Sequence, residues 1–351
     1  MTTKTSKFAS ASSQLPALTL GPGQLFIQSQ LCTKPQYPPA DLDLSGQTAI
    51  VTGANSGIGF ACAKLLLQHK LSHLIITVRS KVKGDVAAKE LYDAAASEDS
   101  QIYVWELDMG SYSSIADFAK RCGSLHQIDF VILNAGMGRT TFHINKETGH
   151  EETMQVNFLS TMYLSVLLLP VLKNKAASQK PGRLTIVNSG TAMHCELPEA
   201  KEKHIISAFD SEFNFDGLAN YGKSKLLGQL FIDKLARHID SNDVVINCLN
   251  PGLTKATGLM DKSTGLQKVV LSWVARIVGF SPERAAATYV DAAVIKGKET
   301  HGSYIMNWEI SPFGAYYYSE GRQELQDRIW NEVMDEFAFA NMQGMIESME
   351  R

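Results

Sequence analysis

The sequence is short of the features that announce a specialised protein. Five cysteines (Cys32, Cys62, Cys122, Cys195, Cys248) stand without metal-ligand spacing or a paired framework. That excludes a disulfide scaffold, offers no metal site, and favours reduced thiols in a cytoplasmic setting. The formal net charge is only −3, so there is no basic footprint for nucleic acid. The longest apolar run, around Tyr163–Leu172, is too short to cross a bilayer and carries Pro170, so no integral membrane span is expected. The first residues hold Lys4, Lys7 and several serines but no apolar core and no arginine, which argues against a signal or transit peptide. No internal repeat is visible.

What is present is ordinary for a globular domain: 351 residues, 44% hydrophobic and 20% charged. Residues 1–46 are rich in Ser, Pro and Gln and read as a loose extension, in which "GQLFIQSQL" forms at most one short docking helix. From Gln47 onward, apolar β-branched runs alternate with helical patterns. "TAIVTGA", "HLIITVR", "IYVWELD", "FVILNAG", "RLTIVNS" and "VVINCLN" read as six buried strands, with a seventh at "SYIM" (303–306). Helices are expected near 58–70, 84–97, 111–122, 150–172, 219–239 and 281–295. The last opens with Ser281 as N-cap, Pro282 and Glu283. This alternation predicts a single α/β domain built on a doubly wound parallel sheet of about seven strands. Its body runs over 47–310, followed by a helical extension over 311–351.

The stretch "IVTGANSGIGFACAKLL" (Ile50–Leu66) places three glycines between a strand and a helix start. Bare backbone there lets N–H groups approach a pyrophosphate, and the helix N-terminus adds its dipole. This makes the sheet Rossmann-type. The spacing is Thr52-Gly53-x-x-x-Gly57-Ile58-Gly59, with Asn55 and Ser56 inside the turn. Gly-rich turns also mark tight packing, so this motif alone is weak. Further on, "LNAG" (Leu133–Gly136), "VNSG" (Val187–Gly190) and "NPG" (Asn250–Gly252) end three later strands, and "YGKSK" (Tyr221–Lys225) opens a helix. Those strand ends lie on the carboxyl edge, where such sheets bind ligands.

With these motifs together, the chain resembles the classical short-chain dehydrogenase/reductase family over roughly Gln47–Met306. The flanking "FIQSQL" and "RQELQDRIWNEV" are similar to fungal retinol-dehydrogenase-like members tied to secondary metabolism. The resemblance implies a nicotinamide dinucleotide held by Thr52, Gly53, Asn55, Ser56, Gly57, Ile58, Gly59, Asn134, Ala135, Gly136, Pro251 and Gly252. Asp108 matches the residue that contacts the adenine ring. Asn157 matches the asparagine that holds a water for proton relay to the lysine. The family is often dimeric or tetrameric, which allows a homo-oligomer.

Tyr221 and Lys225 are four residues apart, on one helix face. A tyrosine with a pKa near 10 is a poor acid–base at neutral pH, and a nearby ammonium lowers it. The pair thus converts Tyr221 into a proton donor to a ketone or acceptor from an alcohol. Lys225 also matches the family lysine that bonds the nicotinamide ribose. Ser189 is the expected donor to the substrate oxygen, with Thr191 and Ser211 as substitutes. The family's serine doublet here reads Asn188-Ser189. A long insertion, "ELPEAKEKHIISAFDSEFNFDGL", separates Ser189 from Tyr221 and is expected to shape the substrate pocket.

Arg79 follows the second strand, with Lys81 and Lys83 behind it, and no acidic residue lies between Leu74 and Gly84. An arginine there accommodates a 2′-phosphate, so NADP(H) is expected over NAD(H). "NPGLTKATGL" departs from the family's usual pattern, leaving Thr254 or Thr257 to meet the nicotinamide amide. Val269–Phe280 carries apolar residues at helical spacing inside a substrate lid expected around 253–280. An apolar lid points to a bulky apolar ketone or alcohol. Lys268 and Arg276 are too few basic residues for a membrane-surface helix. Two readings stand beside the oxidoreductase acting on C=O and CH–OH. One is an enzyme of the family acting on an activated double bond or coupling reduction to epimerisation. The other is a dinucleotide-binding sensor without turnover.

Overall fold

A computed structural model describes residues 9–177, 180–213, 215–255, 273 and 275–350. One eight-stranded sheet runs in the order β3-β2-β1-β4-β5-β6-β7-β8. The strands are β1 Thr48–Thr52, β2 His73–Val78, β3 Gln101–Glu106, β4 Phe130–Leu133, β5 Gly182–Val187, β6 Val244–Asn250, β7 Tyr304–Met306 and β8 Glu309–Ser311. All pair in parallel except β7 with β8. The chain winds outward from β1 to β3, then returns to start β4 on the other side of β1. That reversal is the switch point where doubly wound sheets open a crevice at their carboxyl edge.

β8 is one strand more than the sequence reading. Asn307 and Trp308, at φ 57° and 65°, make the two-residue turn between Met306 and Glu309. Two consecutive positive φ values are the mark of the tight hairpin whose twist suits the flanking strands. Without a glycine, that turn carries a weak sequence signal. β3 also departs from the expectation of strands covered on both faces: Gln101, Tyr103 and Glu106 are exposed because β3 is a sheet edge.

Helices cover both faces. Gly57–Gln68 and Pro282–Val290 pack on one side, around Leu66, Leu67, Tyr289 and Val290. Tyr112–Cys122, Glu152–Lys175 and Gly217–Ala236 pack on the other, around Phe118, Leu159, Tyr163 and Leu230. Glu152–Lys175 is long and apolar enough to cross a membrane by length and composition, yet 78% of its apolar window is buried inside the fold. Gln155–Ser160 within it is wound as a π turn, a feature often found at functional sites.

The expectation of a loose arm over residues 1–46 is corrected from Ala9 onward. Ser10 Oγ donates to Asp233 Oδ1 at 2.9 Å, and Ser12 Oγ accepts the β7 N–H of Tyr304 at 2.8 Å. "GQLFIQSQL" forms a helix over Pro22–Ile27 that continues as a π turn over Gln28–Cys32. At the other end, Arg322–Glu336 and Met342–Met349 are helical and dock on the body, with Phe337 stacked on Tyr163 at 4.5 Å.

Candidate active site

β1 delivers the chain into the glycine turn. Gly53 and Gly57 adopt φ +65° and +60°, which glycine takes without strain. Ser56 precedes the Gly57–Gln68 helix without capping it through its side chain. The first N–H groups of that helix therefore receive no side-chain acceptor from their N-cap residue. A Cβ on Gly59 would lie 2.5 Å from Asn134 Nδ2, so only glycine lets the helix approach β4 this closely.

Thr52 and Asn134 clasp the turn to β4. Thr52 Oγ1 accepts the N–H groups of Asn134 and Ala135, each at 2.9 Å, and Asn134 Nδ2 donates to the Thr52 carbonyl at 2.8 Å. Tyr289 completes the clasp by donating to Asn134 Oδ1 at 2.8 Å. Sequence reasoning missed Tyr289, because its helical spacing marks it only as a core residue. The Asn134 amide is thereby committed to bracing the turn.

The β5 end and the Gly217–Ala236 helix bring the proton-handling groups together. Asn188 donates to the Lys225 carbonyl at 2.9 Å and accepts from the Ser189 N–H at 2.8 Å. The asparagine in place of a second serine thus ties strand end to helix. Ser189 Oγ accepts from Thr191 N at 3.2 Å and from Thr191 Oγ1 at 3.0 Å, and its hydroxyl favours a lower pKa at the Tyr221 phenol. Lys225 is buried; its Nζ lies 5.9 Å from the centre of the Tyr221 ring and donates to the Val187 carbonyl at 2.9 Å.

Asn157 sits in the π turn. Its Nδ2 donates to the Met137 carbonyl at 2.8 Å and to Ser224 Oγ at 3.2 Å, and its Oδ1 accepts from Met137 N at 2.9 Å. Both side-chain donors are therefore used by the protein. A Cβ on Gly136 would lie 3.2 Å from Asn157 Oδ1 and 3.7 Å from Lys225 Nζ. Ala135 and Gly136 thus form the floor between the glycine turn and the lysine.

The pKa pattern differs from the sequence expectation. Burial raises the Tyr221 phenol above its usual value, and the Ser189 hydrogen bond only partly opposes this. Burial lowers Lys225 to about 8. Desolvation sets the direction for both groups, in place of the lysine attraction that was expected to lower the tyrosine.

At the β6 end, Asn250 Oδ1 accepts from Gly190 N at 3.0 Å and Gly252 N at 3.1 Å, which draws two strand ends together beside Pro251. Thr254 is buried, donates to the Gly252 carbonyl at 3.2 Å and bridges to Phe280. Thr257, Val269, Val270 and Val274 lie outside the described residues. Asp108, at the end of β3, is exposed and accepts from Gly110 N at 2.9 Å. Arg79 is exposed just beyond β2 and makes no ion pair among the described residues, whereas neighbouring Lys81 pairs with Asp85 at 3.0 Å. The Ser211 hydroxyl accepts from Phe213 N in an exposed loop, which uses it locally. A groove of about 520 Å³ lined by Lys89, Tyr92, Tyr103 and Arg121 runs along the β3 edge and contains none of these groups.

The insertion between Ser189 and Tyr221 is held from outside. Glu332, on the Arg322–Glu336 helix, accepts from the N–H groups of Ile205 at 2.9 Å and Ile206 at 2.8 Å. Arg328 donates to the Ala200 carbonyl at 2.7 Å.

This geometry agrees with what the chain is similar to. Residues 47–198 match the short chain dehydrogenase family. The chain is 44% identical over 342 residues to the short chain dehydrogenase/reductase mfmJ of Annulohypoxylon moriforme, covering 97% of this chain and 98% of that protein. It is 39% identical over 335 residues to the short chain dehydrogenase virL of Hypocrea virens, covering 95% and 96%. Among solved structures it resembles a 3-oxoacyl (acyl-carrier-protein) reductase of Agrobacterium tumefaciens with NADP bound. That likeness has a TM-score of 0.56 at 18% identity, covers 76% of this chain and 94% of that one, and concerns the fold alone. The chain belongs to the short-chain dehydrogenase/reductase family. It is an oxidoreductase of a family that binds a nicotinamide dinucleotide.

Proposed function

We propose that the protein is an NADP(H)-dependent oxidoreductase that interconverts a carbonyl and an alcohol on a bulky apolar small molecule. The observation that carries this reading is the convergence of Ser189, Tyr221 and Lys225 beside Gly136. A sensor without turnover has no use for a half-buried phenol set between a serine and a buried lysine.

The residues fit a dinucleotide. Gly57, at φ +60°, brings bare backbone to the start of the Gly57–Gln68 helix, whose N-cap side chain leaves its N–H groups to a pyrophosphate, with Asn55, Ser56 and Ile58 beside it; Gly53 and Gly59 set the close approach to β4. Asp108 would meet the adenine end, and Arg79 would carry the charge for a 2′-phosphate. Lys225, Pro251, Gly252 and Thr254 would hold the nicotinamide end. When bound, the nicotinamide supplies or accepts the hydride.

The chain's own groups handle the proton. In the reducing direction Ser189 donates a hydrogen bond to the substrate oxygen, and Tyr221 gives its phenolic proton to that same oxygen. Lys225 holds its ammonium near the phenolate that forms, and Asn157 keeps the Met137 backbone in place beside it. Exposed Trp273 and Ile277, in the segment after β6, supply apolar surface for the substrate. The likeness to fungal relatives supports a place in secondary-metabolite biosynthesis. The test is oxidation of NADPH by the purified protein in the presence of a panel of apolar ketones. Formation of the matching alcohol supports the proposal; a saturated C–C product or no turnover with any member sinks it.

A further inference from the structure

Gln30 is a polar residue that hydropathy assigns to solvent, yet only 5% of it is exposed. It stands in the Gln28–Cys32 turn and reaches backbone 223 residues away. Its amide nitrogen donates to the carbonyls of Leu253 at 2.8 Å and Val278 at 3.2 Å, and its amide oxygen accepts the Leu253 N–H at 3.0 Å. Both donors and one acceptor site are used. Giving and taking at a single residue is the pattern of a β-ladder, with a side chain in place of a strand. The Leu253 carbonyl also accepts from Phe280 N at 2.8 Å, so Gln30 completes a small patch that joins Leu253 to Phe280.

The neighbouring contacts hold this turn in place. Ser29 Oγ donates to Asn307 Oδ1 at 2.6 Å. Arg284 donates to the Thr33 carbonyl at 2.7 Å and sets its guanidinium 3.6 Å from the centre of the Phe280 ring. Gly252 shows what the arrangement controls. It adopts φ +77°, and a Cβ there would lie 2.7 Å from the Phe280 ring and 2.8 Å from Gln30 Oε1. Two side chains therefore press on one backbone position, directly after the Asn250-Pro251 strand end.

We infer that Gln30 is a positioning residue for the dinucleotide site: its buried amide sets the path of Gly252–Thr254, so the amino-terminal segment is part of the binding machinery. The consequence for binding rests on the function proposed above; the geometry does not. Gln30→Ala removes all three hydrogen bonds. Gln30→Glu keeps the shape but cannot donate, and it sets a carboxylate against two carbonyls.

The experiment uses the full chain and two readouts. Amide hydrogen exchange in 250–255 is expected to quicken at least about tenfold in both variants, while 48–59 stays as in the wild type. The Kd for NADPH should rise about tenfold, while that for ADP-ribose bearing the 2′-phosphate, which lacks the nicotinamide, should stay constant. Unchanged exchange at 250–255 overturns the inference. So does equal weakening of NADPH and the fragment, which signals general loosening. If the alanine variant melts early, the glutamate variant carries the comparison. A wild type that binds no dinucleotide sinks the proposed function instead, and the exchange pattern then decides the role of Gln30 by itself.

Discussion

Thr191 aims two donors, its N–H at 3.2 Å and its Oγ1 at 3.0 Å, at the single side-chain oxygen of Ser189. A hydroxyl oxygen accepts at two sites. With both filled, Ser189 keeps only its own proton to offer, and a substrate oxygen beside Tyr221 is the acceptor proposed for it. Thr191→Val, which keeps the N–H and loses the hydroxyl, should lower kcat/KM about three- to tenfold with the Kd for NADPH unchanged. Thr191→Ser should restore it. Full activity in the valine variant, or no rescue by serine, refutes the arrangement.

Tyr221→Phe should remove turnover by about 10²–10⁴-fold, the usual worth of a general acid. The ring stays and the cofactor contacts are elsewhere, so NADPH binding should hold. Fluorescence titration with NADPH and steady-state rates check the two halves. A loss under tenfold would falsify the assignment.

Arg79 should set the cofactor preference. Its guanidinium pairs with a 2′-phosphate in a way a ribose hydroxyl cannot match. Because it is exposed, the contact is worth roughly 2 kcal/mol, about thirtyfold. Arg79→Ala should weaken NADPH and spare NADH; Arg79→Asp should go further by repelling the phosphate. The kcat/KM for both cofactors decides it. An unchanged ratio in Arg79→Ala transfers the role to Lys81 or Lys83.

Lys225 has a folded pKa of about 8, below the 10.5 of a free lysine, because burial disfavours its charge. Between those values the unfolded chain binds a proton that the folded chain has lost, so stability rises with pH across that window. Lys225→Met should therefore be more stable than the wild type below pH 8 and lose that advantage as pH rises toward 10.5. Thermal melts across the range test this. A stability gap independent of pH means that the lysine titrates normally.

His150 carries the opposite sign. Burial alone would lower it, but Asp210, 2.8 Å from Nδ1, and Glu336, 3.3 Å from Nε2, hold it at about 9 against a usual 6.5. The stabilisation is complete below pH 6.5 and is lost as pH rises through 9. Asp210 lies in the insertion and Glu336 ends the Arg322–Glu336 helix, so this clamp secures the insertion. His150→Gln should cost most stability in mild acid, with the difference from wild type closing above pH 9. A constant difference would show that the imidazole carries no charge there.

The sequence by itself determined the chemistry that depends on short spacing. The Gly53, Gly57 and Gly59 turn, the Tyr221–Lys225 pair one helical turn apart, the strand ends at Asn134, Ser189 and Asn250, and the parallel character of the sheet were all legible, because each is set by local backbone conformation or by an apolar period. Only the tertiary structure decided the rest. Ser10, Ser12, Ser29 and Gln30 read as solvent-facing, yet they are buried because each finds a partner 200 residues or more away, and no periodicity records such a partner. Tyr289 looked like core until its hydroxyl met Asn134. The eighth strand depended on a turn that uses Asn307 and Trp308 where a glycine would have signalled it. The pKa of Tyr221 turned on burial, with Ser189 only partly opposing it, and burial is something that spacing cannot supply.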